Sequence, residues 1–105
     1  MAEFARPAAN LMLADELNAL LQQALSATAI KVRDDSAAHA GHAGAQSGAH
    51  FAVTVIAEKF AGRRLLERHR LVYEAAAPLL RSGIHALQIS ALTPAEAAAQ
   101  GQPSR

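Results

Sequence analysis

Five histidines are the side chains of this 105-residue sequence best suited to chemistry: His39, His42, His50, His69 and His85. Imidazole is a ligand for zinc, copper and iron, and its charge changes near neutral pH. There is no cysteine, so a metal site here rests on His, Asp or Glu unless another chain brings sulfur. Two histidines rarely hold a metal tightly, so such a site would be incomplete and want outside ligands. His85 opens the apolar stretch "IHALQISAL", while His39 and His42 lie in "DSAAHAGHAGAQSGAH". By pattern alone His85 is either a strand histidine bonded to backbone or a ligand carried to the mouth of a site. His39 and His42 are either ligands or solvated Gly/His filler. His50 only flanks a strand and is expected to have no role. His69 falls on an apolar helix stripe and reads as a buried histidine donating to backbone.

The second candidate is a basic group. Lys59, Arg63, Arg64, Arg68 and Arg70 fall within twelve residues, against Glu58 and Glu67. That excess of positive charge suits phosphates, an acidic partner or a glutathione-like anion, or it is a solvated helix face. "GHAG" at 41–44 matches the GxxG of KH domains, but it stands between two strands. A KH clamp needs it between two helices, where this sequence has "AAAPLL". There is no glycine-rich phosphate loop, GxSxG, HExxH or cysteine nucleophile, so catalysis has little support and a non-enzyme is expected.

The elements that must position these residues follow from periodicity. Residues 1–11 read as a flexible arm. Leu13, Leu17, Leu20, Leu21, Ala24 and Leu25 keep helical spacing, which predicts a helix over about 12–26. Ile30 and Val32 alternate with Lys31 and Arg33, a short strand with one solvated face. A long His-containing loop, 35–49, follows. "FAVTVIAEKF" is the clearest strand and should pair with the first as a hairpin. "GRRLLERHRLVYEAAAPLLRSG" is helical, with Leu65, His69, Val72 and Ala76 on one face. Pro78 predicts a kink or break near Ala77 and a second short helix after it. Gly83 is placed to end that helix in a left-handed turn. "IHALQISAL" is the third strand, and the helical crossover makes it parallel to the second. "TPAE" starts a last helix, with Thr93 as N-cap, Pro94 first and Glu96 closing a capping box; this helix fades by Gly101, before a tail at 102–105. Parallel strands start at the same end of a sheet, so His85 and the His-bearing loop should share one end.

The chain is 51% hydrophobic with a net charge of +1, which suits one compact domain over about 12–101 and does not force a nucleic-acid role. No apolar run approaches the ~18 residues of a membrane helix. The N-terminus lacks a basic region followed by an apolar core. A cytoplasmic, membrane-free protein is expected.

"KFAG" (59–62), "RHRLVY" (68–73), "GIHAL" (83–87) and "TPAE" (93–96), in this order, with "VRDDS" (32–36), a loop histidine and then "HF" (50–51), resemble the BolA family over roughly residues 12–98. The resemblance implies an α+β fold, αββααβ with a C-terminal helix, like a class II KH domain: a three-stranded mixed sheet with helices packed on one face. It implies pairing with a monothiol glutaredoxin in a heterodimer that shares a [2Fe–2S] cluster, none being held tightly by the isolated chain. The glutaredoxin cysteine and a glutathione would supply thiolates. His85 would be the strand ligand; His39, three residues after Ser36, would be the loop ligand, with His42 the second choice. Two features depart from the family: Ala97 stands where an aromatic residue is usual, and the loop is longer. Some members act as transcriptional regulators; in that role Arg63, Arg64, Arg68, His69 and Arg70 would form the partner or nucleic-acid surface, and DNA is a possible partner.

Overall fold

The computed structural model describes residues 2–35 and 49–101, with side chains from residue 11 onward. Its elements run α1 (Ala2–Leu25), β1 (Ala29–Asp34), β2 (Ala49–Ile56), a 3-10 turn (Glu58–Phe60), α2 (Leu65–Ser82), β3 (Ile84–Leu92) and α3 (Pro94–Ala99). β1 pairs antiparallel with β2, and β2 parallel with β3, so β2 is central. The mixed three-stranded sheet is as expected.

Leu17, Leu21 and Leu25 of α1 pack with Val72, Ala76 and Leu79 of α2 against Phe51, Val53 and Val55 of β2 and Ile84, Leu87 and Ala91 of β3, forming the core. This is the apolar stripe of two amphipathic helices laid on one sheet face. The next residues along the strands, Ile56 and Leu92, point to the opposite face. There they close a separate small cluster with Ala97 of α3. Among the described residues no helix is long and apolar enough to cross a membrane.

Three expectations are corrected. First, α1 begins at Ala2, so residues 2–11, expected as an arm, are helical. At its other end Ser26 adopts a left-handed φ of 50° and donates its N–H to Gln22 O at 2.9 Å. Second, α2 is not broken near Ala77; it is one helix with Pro78 inside it. Pro78 and Glu74 are both exposed, so water can take the carbonyl that the proline leaves unpaired. The three alanines before it favour helix. The second helical piece of the crossover is instead the 3-10 turn before α2. Third, Gly83 has φ −148° and ψ −28°, which is not left-handed. Its lack of a side chain matters for another reason: a Cβ there would stand 2.8 Å from Leu13 Cδ2 of α1. Gly83 lets α1 lie against the end of α2.

The "KFAG" segment closes the other end. Lys59 Nζ donates to Ala24 O at 3.0 Å, capping the C-terminus of α1. Phe60 is fully buried, and Gly62 makes the turn at φ 76°.

Candidate functional site

The β2–β3 pairing carries an irregularity at its start. Ala49 is opposite Ile84 and His50 opposite Ala86, so His85 has no partner on β2. It is the extra residue of a β-bulge, a device that re-aims a side chain. Ile84 is buried and Leu87 is buried, while His85 and Ala86 between them are both exposed. The bulge thus turns His85 away from the core, onto the open side at the mouth of the parallel strands. His50 is half-buried beside it, with ring centroids 5.2 Å apart and planes tilted by 49°.

The loop leaves and returns at this mouth. Asp35 N–H donates to His50 O at 2.7 Å, and Ala49 N–H to Gly83 O at 3.2 Å. These bonds fix both ends of the loop next to His85. His39 and His42 themselves lie outside the described residues. The expectation that His85 and the loop share one end of the sheet therefore holds for the loop's anchors. His50 was missed. Its place beside His85 follows from the β2–β3 register, which two strands set together and no local sequence signal marks.

The basic group divides in two. Arg68 is not a free surface cation: its side chain is 12% exposed. It donates Nη1 to Ala91 O at 3.0 Å and to Glu96 Oε1 at 2.6 Å, and Nη2 to Glu96 Oε2 at 3.1 Å. It also lies over the Phe60 ring, 5.9 Å from its centroid. This arginine ties α2 to the edge strand β3 and to α3. The Arg68 guanidinium, with the Thr93 N–H, holds the Glu96 carboxyl down at about 2. Tyr73 Oη donates to Leu87 O at 3.4 Å, so α2 covers two outward carbonyls of β3. Arg63, Arg64 and Arg70 are exposed, and His69 is half-buried. Leu65, expected on the buried stripe, is 63% exposed, as is Leu66. Phe60, fully buried, lies under Arg68 in this turn, while Leu65 stays outside the core. An apolar and basic surface results at the start of α2.

The family model for BolA-like protein matches residues 21–96. The chain belongs to the BolA family. It is 44% identical over 80 residues to BolA-like protein 1 of Mus musculus, covering 76% of this chain and 57% of the mouse protein. The chain thus spans little more than half the length of that relative. It is 33% identical over 83 residues to the DNA-binding transcriptional regulator BolA of Escherichia coli K12, covering 79% of this chain and 77% of that protein. The solution structure of mouse BolA1 superposes with a TM-score of 0.73 at 41% identity, covering 87% of this chain and 72% of that one. The BolA fold expected from the motifs is therefore the fold observed. α1 and α2 cover one face of the sheet, and α3 packs at the far end of the other.

Ala97, where an aromatic residue is usual in BolA proteins, is fully buried against Ile56 and Leu92. The smaller side chain still closes the cluster, and the Arg68–Glu96 pair holds α3 in place.

Proposed function

We propose that this BolA-like chain pairs with a monothiol glutaredoxin and co-ligates a shared [2Fe–2S] cluster through His85 and a loop histidine, His39 or His42. It would serve cluster trafficking or iron and redox sensing. The observation that supports this best is the bulge that turns His85 out of the β2–β3 pairing, beside both anchors of the histidine loop.

The donor set fits part of a cluster site. His85 offers one exposed imidazole, and the sequence has no cysteine. Among the described residues no three His, Cys, Asp or Glu side chains are placed to hold a metal. Thiolates must therefore come from outside, which a glutaredoxin cysteine and glutathione satisfy. When bound, the cluster supplies one-electron chemistry, with a potential raised by imidazole in place of thiolate. The chain's own contribution is an exposed imidazole at the mouth of the parallel strands, and docking groups around it. Leu65, Leu66, Arg63 and Arg64 form an exposed apolar and basic surface for a partner.

The test is co-expression with the host's monothiol glutaredoxin, followed by visible absorption and circular dichroism of the purified pair. The wild-type pair should show a cluster spectrum distinct from that of the glutaredoxin homodimer. His85→Ala should erase the difference, and His39→Ala and His42→Ala should identify the loop ligand. A spectrum indifferent to all three substitutions contradicts the proposal.

A second reading, a DNA-binding regulator, is favoured by the similarity to the DNA-binding regulator of Escherichia coli and by the exposed Arg63, Arg64 and Arg70. Phosphate contacts make affinity fall with salt, with a slope of about −0.9 per phosphate neutralised. Affinity for duplex DNA that does not change with salt contradicts this reading.

A further inference from the structure

We infer that His50 is a positioning residue for His85: its ring holds the His85 imidazole in one orientation at the mouth of the β2–β3 pair. The inference rests on the proposed role of His85 as a ligand and adds the group that orients it. A residue in a bulge lacks the paired neighbour that fixes direction elsewhere in a sheet. His85 is in that position, exposed and opposite no residue of β2. His50 is held differently. It lies on the central strand, paired with Ala86, and its carbonyl accepts the Asp35 N–H at 2.7 Å.

The backbone of His50 is thus held from both sides, and its ring is a firm surface for the ring of His85, 5.2 Å away. Ring pairs tilted in this way favour a particular mutual orientation. The two imidazoles also differ in access. Nε2 of His50 is shielded from solvent, whereas His85 is exposed. One ring is placed to support and the other to present a nitrogen outward. Outer groups that orient a ligand by hydrogen bonds change metal affinity by about 10- to 100-fold when removed, and a packed ring would act on the same orientation.

The test compares His50→Ala with His50→Phe, which keeps a flat ring without a nitrogen. In the isolated labelled protein, three-bond NMR couplings about χ1 of His85 should report one rotamer. They should become averaged in His50→Ala and return in His50→Phe. In the glutaredoxin pair, loss of cluster to a chelator should be about tenfold faster in His50→Ala. In His50→Phe it should stay within about threefold of wild type. Couplings unchanged in His50→Ala overturn the inference. So does a His50→Phe pair that loses its cluster as fast as His50→Ala, which would assign a direct role to a His50 nitrogen. His85→Ala in the same series separates the two proposals. If it leaves cluster spectrum and lifetime unchanged, the ligand role of His85 fails, while the couplings still decide whether His50 orients it.

Discussion

Arg68 and Glu96 meet in a two-point ion pair, Nη1 to Oε1 at 2.6 Å and Nη2 to Oε2 at 3.1 Å, joining the first turn of α2 to the first turn of α3. The same carboxylate accepts the Thr93 N–H at 2.9 Å, so one side chain caps α3 and anchors it. The folded carboxyl is lowered from the usual 4.5 to about 2. A lowered folded value stabilises the protein above the unfolded value and is lost as pH falls toward the folded one. The stability difference between wild type and Glu96→Gln, measured by urea unfolding, should be constant above about pH 5 and shrink between about pH 4.5 and 2. A difference that grows in acid contradicts the assignment.

The division of the arginines gives a second prediction. Arg68→Ala removes bonds to Ala91 O and Glu96 and should cost about 2 kcal/mol of stability. Arg63→Ala and Arg70→Ala, on the exposed face, should change stability by less than about 0.5 kcal/mol. Binding to glutaredoxin or DNA should weaken with the exposed pair while the melting temperature stays put. A binding defect confined to Arg68→Ala would return that residue to the surface.

Ser26 ends α1 with a left-handed backbone that favours glycine. Ser26→Gly should raise stability by about 1 kcal/mol, read from thermal or urea unfolding. A decrease would show that the serine holds something beyond its backbone conformation.

Gly83 gives way to Leu13. Gly83→Ala should cost about 1 kcal/mol, since the far end of the leucine can shift to make room. In a Leu13→Ala background the cost should fall toward zero, because the two residues share one contact. An undiminished cost in that background would place the penalty elsewhere.

Much of the fold was legible because its signals are local. The alternation over 51–57, the helical stripe of α1 and the Thr93–Glu96 capping box each lie within a few residues, and a helical crossover dictates parallel strands. Pro78 misled because a proline's cost depends on which way the helix faces, and here it faces water. Leu65 and Arg68 misled for a shared reason. What the first turn of α2 meets is decided far off in sequence: Leu65 is left exposed, and Arg68 finds its carboxylate 28 residues away. His85 was legible as a candidate from its place in the strand and from the family motif. The bulge that exposes it and the neighbour His50 were not, since register is set by two strands together.

The most direct test of the central claim uses histidine labelled with nitrogen-15 only in this chain, paired with unlabelled glutaredoxin and reduced. Pulsed electron paramagnetic resonance should detect labelled nitrogen coupled to the cluster spin. The coupling assigned to His85 should vanish in His85→Ala, leaving that of the loop histidine. No labelled coupling in the wild-type pair, or a pattern unaltered in His85→Ala, contradicts the claim that this residue ligates iron.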